Sequence, residues 1–297
     1  MVEAEQFSDR IGWQSARIES IDKLTPSISR VVLRPEAWHR PLAGQHLDIR
    51  LTAPDGYQAQ RGYSLLSPPE REGVYELAIE RLSDGEVSPW FHDSAQVGDS
   101  IEILGPVGLH FVWRSEDEQP TLLIGSGSGV VPLLAMAAHH VHSRSTSPMV
   151  LIVAVRTMVD VVMWSELQRW EALGRGFHSR LALSRDVAAP RAQDRIGRLR
   201  AADIAAALQR LGDDASGSAA TYVCGSNSFV ESVTGMLREL CVPDGAVRTE
   251  RFGGGRAASG IARAANPTPS GRQPGTPDSD SLPSVDARAR QIARTPP

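Results

Sequence analysis

This sequence has no excess of basic residues, few cysteines and no long apolar runs, and each of these shortages argues against a class of protein. Lys23 is the only lysine among 31 basic residues, and 35 acidic residues bring the formal net charge to −4. Because a nucleic-acid-binding protein usually shows a clustered basic excess, we expect no nucleic-acid partner. No stretch approaches the roughly 20 apolar residues of a membrane-spanning helix, so we expect no membrane span.

Cysteine is limited to Cys224 and Cys241. Two cysteines are too few to hold a four-cysteine iron–sulfur cluster or to staple a chain of 297 residues, and we predict no metal site. The first thirty residues are polar and lack the apolar core of a signal peptide. We therefore expect reduced thiols and a cytoplasmic location.

The first part of the chain, residues 12–118, has the pattern of a small antiparallel β-barrel or sandwich. Runs with period-2 alternation follow one another, with Pro and Gly between them. One short helix is expected near residues 87–92, with Ser88 as its N-cap and Pro89 at the first helical position. The predicted strands are residues 16–21, 28–33, 46–51, 75–80 and 100–104.

The second part, residues 119–254, alternates apolar runs with helical stretches. This pattern predicts βαβ units and a parallel sheet with helices on both faces. Residues 255–297 are rich in Gly, Pro, Ser, Ala and Arg and are expected to be a disordered tail. The predicted strands are residues 121–124, 150–155, 180–183 and 220–224, and the predicted helices are 132–142, 164–173, 201–211 and 228–240.

A glycine-rich loop, residues 125–132, connects the first apolar strand to its helix. Glycines such as Gly127 and Gly129 let the backbone approach a pyrophosphate, and the helix N-terminus offers free N–H groups. Ligands of open α/β sheets lie beyond the carboxyl ends of the strands, so the loop is well placed. Pro132 stands in the last position of the G-x-G-x-x-G pattern, and a glycine turn without a ligand is the alternative interpretation.

Four further motifs stand along the chain: Arg61-Gly62-Tyr63-Ser64, Gly85-Glu86-Val87-Ser88, Cys224-Gly225-Ser226-Asn227-Ser228-Phe229 and Glu250-Arg251-Phe252-Gly253-Gly254. Together with the glycine loop, they resemble the ferredoxin–NADP reductase superfamily of flavoproteins. All five stand in the order of that family, and the resemblance covers roughly residues 12–254. It implies an FAD-binding β-barrel followed by an NAD(P)-binding α/β domain.

The resemblance assigns the flavin to the barrel half. Arg61 would pair with the FAD pyrophosphate, which suits a planar cation with several donors. Tyr63 would lie against the isoalloxazine, and Ser64 would hydrogen-bond near flavin N5. An exposed arginine and an ordinary strand tyrosine are the alternatives. By the same resemblance, the backbone amides and serine hydroxyl that meet the pyrophosphate at a helix start belong to Gly85, Val87 and Ser88.

The resemblance also implies where the nicotinamide meets the flavin. Cys224 would lie beside nicotinamide C4 as a positioning group, and Gly225 would give the ring room. Glu250 would sit near the flavin edge and relay a proton or steady the hydride geometry, with Phe252 as its aromatic neighbour. The alternatives are a buried structural cysteine and a charged residue on an edge strand.

For the nicotinamide dinucleotide, the resemblance favours NADPH, with NADH possible. In NADP-using relatives, a pair like Ser184-Arg185 binds the 2′-phosphate, and arginine is well matched to phosphate. Arg156 and Arg198 are additional candidates. No acidic residue that would suit a free ribose 2′-hydroxyl directly follows either neighbouring strand.

The activity implied is an NAD(P)H-dependent flavoprotein reductase. Relatives with a similar Glu-Arg-Phe segment often continue into an iron–sulfur domain with four cysteines, and residues 255–297 contain none. We therefore expect electrons to pass to a separate ferredoxin or to another iron–sulfur or haem acceptor, such as an oxygenase. Two alternatives stay open: a flavin or quinone reductase with a small diffusible acceptor, and a non-catalytic regulatory subunit that binds the cofactors.

Overall fold

The computed structural model describes residues 11–252, and its first half is a six-stranded antiparallel sheet. The strand order is β4-β3-β6-β1-β2-β5. Strands β1, β3 and β6 contain stretches in which buried residues alternate with more exposed ones, so one face of the sheet encloses the core. The elements are β1 (Trp13–Lys23), β2 (Ile28–Pro35), β3 (His46–Thr52), β4 (Gln58–Ser64), β5 (Tyr75–Glu80), α1 (Val87–Asp93) and β6 (Ser100–Val107).

The two edge strands of this sheet meet, which closes it into a barrel. Leu65, directly after β4, forms an antiparallel bridge with Leu77 of β5. The next residue continues the contact, because the Leu66 N–H donates to the Glu76 carbonyl at 2.7 Å. Closure removes the exposed edges that a flat sheet would leave. The predicted β-barrel is confirmed.

Two local features differ from the sequence prediction. Strand β4, which carries Arg61 and its neighbours, was not among the five predicted strands. Ser88 is the second residue of α1 and not its N-cap, a position that Glu86 holds. The Ser88 hydroxyl instead accepts a hydrogen bond from the Leu82 N–H at 3.2 Å, because the preceding loop folds back onto the helix. Pro89 is accordingly the third helical residue.

The second half is a six-stranded sheet in which every pairing is parallel, with strand order β10-β9-β8-β7-β11-β12. One face packs against α2 and α3, and the other against α4 and α6. The predicted α/β domain is confirmed. Its elements are β7 (Thr121–Ser126), α2 (Val131–His142), β8 (Met149–Val155), α3 (Trp164–Ala172), β9 (Phe177–Leu183), β10 (Arg195–Ile196), α4 (Ala201–Leu211), α5 (Ala215–Ser218), β11 (Ala220–Gly225), α6 (Asn227–Glu239) and β12 (Val247–Arg251).

The two halves pack against each other through a shared apolar cluster. Phe111 and Trp113, in the segment after the barrel, are buried in the same core as α2. The Trp113 indole N–H donates to Thr121 Oγ1 at 3.2 Å. A polar contact crosses the same boundary, since Glu70 Oε1 lies 2.6 Å from Nδ1 of His139 in α2. These contacts place the carboxyl ends of β7 and β11 against the barrel.

Among residues 11–252, every helix is too short or too polar to cross a lipid bilayer. The predicted disordered tail, residues 255–297, lies outside the described residues. The boundary near residue 118 stays a prediction, and the described strands are consistent with it, because β6 ends at Val107 and β7 begins at Thr121.

Candidate functional site

Two adjoining cavities lie where the barrel meets the carboxyl ends of the parallel strands. The first cavity, of about 590 Å³, is bounded by residues 61–64 of β4, residues 85–88 at the start of α1, the glycine loop and Phe252. The second cavity, of about 560 Å³, opens over the ends of β8 and β9. Ser226 and Asn227, from the segment that follows β11, also line the first cavity, so it unites all five motifs named above.

Ser64 provides the plainest sign of a ligand in the first cavity. Its side chain is buried, at 6% exposure, and its Oγ has no hydrogen-bond partner among the described residues. A buried hydroxyl without a partner costs about 1–3 kcal/mol, so native proteins normally satisfy such groups. Since Ser64 lines the cavity, a bound molecule with a polar edge would supply the missing partner.

Tyr63 presents its ring beside Ser64 on the cavity wall. Its ring packs edge-to-face on Phe91 of α1, with ring centres 6.2 Å apart and an angle of 83°. Burial raises the pKa of the Tyr63 hydroxyl well above its usual range, although Arg61 and a hydrogen bond with Ser88 act in the opposite direction. The phenol therefore stays neutral, and its ring is held in place for stacking against a planar ligand.

Arg61 lies at the mouth of the first cavity with its side chain about half exposed. One guanidinium nitrogen is 3.7 Å from Glu86 Oε2, and another donates to the Gln60 carbonyl at 2.6 Å. Glu86 is held in turn by Tyr57, whose hydroxyl donates to its Oε1 at 2.7 Å. Because an exposed ion pair is weak, Arg61 can exchange this carboxylate for a phosphate.

The glycine loop is packed so tightly against β11 that only glycine fits at two positions. A Cβ on Gly129 would lie 2.6 Å from the backbone carbonyl oxygen of Cys224, which cannot move aside. One on Gly225 would lie 2.6 Å from Ser126 Oγ, a side-chain atom that would have to shift. Gly127 has a φ of +54°, which favours glycine, and lines both cavities. A side chain at position 225 would therefore crowd Ser126 at the end of β7 and Phe229 in α6.

Cys224 and Glu250 are paired in register on β11 and β12, directly behind the loop that bounds the first cavity. Cys224 is fully buried, and burial, followed by the charge of Glu250, raises the pKa of its thiol. Burial also raises the pKa of Glu250 to about 7, and its Oε2 is buried without a partner among residues 11–252. Neither residue lines the first or the second cavity. The Phe252 N–H donates to the Gly225 carbonyl at 2.9 Å and connects this layer to the wall of the first cavity.

The second cavity has a basic and hydroxyl-bearing rim. Arg156, Ser184 and Arg198 line it, whereas Arg185 does not. The Arg185 backbone N–H donates to the Arg156 carbonyl at 2.8 Å, and its side chain is exposed. Asp160 also lines this cavity, but its Oδ2 accepts bonds from the Thr157 N–H and hydroxyl at 3.0 and 2.8 Å.

Sequence reasoning missed several residues of the site and, besides Cys224, Glu250 and Arg185, included one more that stands back from both cavities. Pro132 is buried in the first turn of α2 and is absent from the linings of both cavities around it. Glu80, the last residue of β5, and Ser128 of the glycine loop meet through a 2.6 Å hydrogen bond. Ser126 and Arg251 also line the first cavity. Ser126, Ser128 and Arg251 lie inside recognised motifs, whereas Glu80 only ends a predicted strand and its partner Ser128 is 48 residues away.

The residues present suit a flavin dinucleotide. The first cavity offers an unpartnered hydroxyl, a stacked ring, a helix start and an accessible guanidinium, which match the polar edge, the plane and the phosphates of such a ligand. Among residues 11–252, no cluster of His, Cys, Asp or Glu could hold a metal ion.

Comparison with known families agrees with this description of the two halves. Residues 16–113 match the oxidoreductase FAD-binding domain, and residues 123–235 match the oxidoreductase NAD-binding domain. Among solved structures, the flavohem-like FAD/NAD-binding domain of nitric oxide dioxygenase from Vibrio cholerae O1 biovar El Tor has a TM-score of 0.71 at 22% identity. The match covers 82% of this chain and 100% of that one, and it shows the same fold.

Individual relatives are similar over most of the described chain. Ferredoxin–NADP reductase B of Sorangium cellulosum (strain So ce56) is 28% identical over 260 residues, covering 85% of this chain and 100% of the relative. The flavohemoprotein of Bacillus subtilis (strain 168) is 28% identical over 251 residues, covering 82% of this chain and 60% of its own length.

A third relative, the ferredoxin reductase component of 3-ketosteroid-9-alpha-monooxygenase from Rhodococcus rhodochrous, is also 28% identical, covering 74% of this chain and 58% of its own length. The chain thus spans about three fifths of the length of several relatives that it matches. Since both halves match the two domain families and carry the motifs around joined cavities, the chain belongs to the ferredoxin reductase-like family of FAD- and NAD-binding oxidoreductases.

Proposed function

We propose that this protein is a flavoprotein reductase that transfers a hydride from NADPH to FAD and passes the electrons to a separate ferredoxin or oxygenase-type acceptor. The observation that carries the proposal is the buried, unpartnered Ser64 hydroxyl beside the Tyr63 ring, in a cavity that opens into a second one. Relatives named as a ferredoxin–NADP reductase and as the ferredoxin reductase component of a monooxygenase support the choice of acceptor.

FAD, when bound, accepts two electrons as a hydride and can release them one at a time. The first cavity would hold it through the barrel residues. Arg61 and the backbone N–H groups at the start of α1, from Gly85 through Val87 and Ser88, would bind the pyrophosphate. Tyr63 and Phe252 would flank the isoalloxazine, and the Ser64 hydroxyl would hydrogen-bond near its reactive edge.

Glu250 and Cys224 would act from behind the wall of the cavity. A carboxyl whose pKa is about 7 can hold or release a proton near neutral pH, so Glu250 suits proton relay to the flavin edge. The neutral Cys224 thiol would serve as a positioning group beneath the nicotinamide, since its raised pKa makes it a poor nucleophile. The glycine loop, with Gly127 and Gly129, would take the phosphates of the dinucleotide.

NADPH is favoured over NADH by the charges around the second cavity. Arg156, Ser184 and Arg198 would bind the 2′-phosphate, with Arg185 beside them on the outside. Asp160 is the carboxylate that could accept hydrogen bonds from the hydroxyls of an unphosphorylated ribose. Its Oδ2 already accepts hydrogen bonds from Thr157. With both cysteines free, we also propose a reducing, cytoplasmic location.

A steady-state assay on the purified chain tests the function. With FAD bound, the protein should oxidise NADPH in the presence of ferricyanide and of a [2Fe–2S] ferredoxin, and NADH should serve less well. Turnover with free flavins or quinones alone, and none with ferredoxin, would favour a reductase with a diffusible acceptor. A protein that binds FAD and NADPH but oxidises nothing would be a regulatory subunit, and the proposed activity would be wrong.

A further inference from the structure

The two cavities share three lining residues, Glu80, Ser126 and Gly127, which therefore mark the place where they join. Glu80 ends β5 in the barrel, and Ser126 and Gly127 belong to the loop after β7. Of the three, only Glu80 has an ionisable side chain. Its Oε2 accepts a 2.6 Å hydrogen bond from Ser128 Oγ, which fixes the carboxylate across the boundary between the two halves.

Glu80 differs from the other acidic residues that line the cavities. The Glu86 carboxylate lies near Arg61 and accepts from Tyr57, while Asp160 is bonded to its own backbone turn at Thr157. Glu80 forms no ion pair with an arginine, lysine or histidine within residues 11–252. Its negative charge is thus not neutralised by a cation, and a hydroxyl holds it at the junction.

Charge at this junction bears on the reaction itself. Hydride transfer needs the reacting atoms about 3–3.5 Å apart, so the nicotinamide ring must enter where the two cavities join. When the C4–H bond of the dihydronicotinamide breaks and an N–H bond forms on the flavin, the flavin gains two electrons and the oxidised ring becomes a cation. A fixed carboxylate beside that ring stabilises the developing positive charge.

We propose that Glu80 is an electrostatic residue of this reaction: its carboxylate, held by Ser128, stabilises the oxidised nicotinamide cation relative to the neutral reduced ring. The proposal rests on the function proposed above and adds a residue that none of the five motifs contains. It also gives a reason why a carboxylate hydrogen-bonded to Ser128, and not an apolar contact, stands at the boundary between the two halves.

The test compares two ligands that differ in the charge of the ring. NADP⁺ carries a cationic ring, whereas 1,4,5,6-tetrahydro-NADP carries a neutral one and cannot donate a hydride. Calorimetric titration of the oxidised, FAD-loaded protein gives both dissociation constants. The Glu80→Gln variant should weaken NADP⁺ binding about tenfold, equivalent to about 1.4 kcal/mol, and leave the tetrahydro analogue unchanged.

Ser128→Ala is the matched control, because it removes the hydrogen bond but keeps the charge. Its ratio of the two dissociation constants should stay close to that of the wild type, even if both affinities and the melting temperature fall. A wild-type ratio in Glu80→Gln would overturn the proposal. So would a change in the ratio in Ser128→Ala as large as that in Glu80→Gln, which would assign the effect to docking of the two halves. Wild-type protein that binds neither nucleotide would overturn the proposed function as well.

Discussion

The two cavities are nearly equal in volume but differ in how their polar groups are satisfied. The first contains a buried hydroxyl on Ser64 that no described residue bonds, beside the fixed ring of Tyr63. The rim of the second is more exposed, and its aspartate, Asp160, is bonded within its own turn. The first cavity is thus incomplete without a ligand, whereas the second needs none to satisfy its carboxylate.

This difference corresponds to two kinds of ligand. A cavity with unmet buried groups favours a cofactor that stays, because loss of the cofactor exposes their desolvation cost. A cavity with an exposed basic rim favours a substrate that arrives and leaves, because charges at a rim act mainly on association. The account therefore predicts that changes in one cavity affect FAD and that changes in the other affect the nicotinamide nucleotide.

The layer behind the glycine loop, which contains Cys224, should give the largest kinetic effect. If Cys224 positions the nicotinamide from beneath the glycine loop, Cys224→Ala should slow flavin reduction by NADPH on the order of 10²-fold, since small misplacements cost rate. Stopped-flow absorbance measures this rate, and Cys224→Ser should do less harm because a small polar group remains. The exposed Cys241 provides the control, and its alanine variant should reduce flavin at the wild-type rate. A normal rate in Cys224→Ala would make Cys224 a packing residue.

Arg61→Ala should weaken FAD binding in the first cavity without affecting nucleotide binding in the second. Loss of a charge-assisted pair with the pyrophosphate costs about 1.5–3 kcal/mol, which corresponds to roughly ten- to a hundredfold weaker FAD binding. Gel filtration followed by flavin absorbance measures what is retained. Because Arg61 lines only the first cavity, the affinity of FAD-saturated protein for NADP⁺ should not change. Full flavin retention would remove Arg61 from the site.

Arg198→Ala should have the opposite pattern, with weaker NADPH binding in the second cavity and unchanged FAD binding in the first. We expect the Michaelis constant for NADPH to rise roughly tenfold, as for loss of one charged hydrogen bond, with little change for NADH and none in flavin content. Arg185→Ala serves as the comparison, because Arg185 follows β9, the neighbour of the strand that Arg198 follows, but lies outside the lining of the second cavity. If Arg185→Ala discriminates between the nucleotides and Arg198→Ala does not, the phosphate is bound on the outer side.

The smallest effect concerns stability. Burial raises the pKa of Glu250 to about 7 in the folded chain, whereas in the unfolded chain it titrates near its usual value. Above pH 7 the charged form is buried at a cost, and below about pH 4.5 both states are protonated and the cost vanishes. Glu250→Gln should therefore raise the free energy of unfolding by about 1–3 kcal/mol at pH 8 and by almost nothing at pH 4.5. Urea unfolding of flavin-free protein at the two pH values measures this, and an equal effect at both would contradict the raised pKa.

Much of the fold could be predicted from the sequence, because its signals are local. The four predicted runs of the α/β half are mostly buried strands, so their boundaries were predicted to within a few residues. Strands β10 and β12 were not predicted, because they contain no fully buried residue and leave no apolar run. Strand β4 was missed because Arg61, Gly62 and their neighbours face a cavity and leave no apolar alternation. The role of Ser88 was predicted from a rule for isolated helix ends, which the nearby Leu82 N–H overrides.

The missing parts of the site depend on contacts that are distant along the chain. Glu80 ends a correctly predicted strand, but its partner Ser128 lies in the other half of the molecule. The choice between Arg185 and Arg198 depends on how the segments after β9 and β10 fold around the second cavity. Motif order could identify the cofactors, but only the packed structure brings these side chains to one junction.

Anaerobic titration of the purified protein with NADPH tests the central claim most directly. The claim is that a retained flavin in the first cavity receives a hydride from a nucleotide in the second. The protein should emerge from gel filtration yellow, with one FAD per chain, and about one equivalent of NADPH should bleach its visible absorption. A colourless protein that takes up no FAD, or a bound flavin that excess NADPH leaves oxidised, would contradict the account.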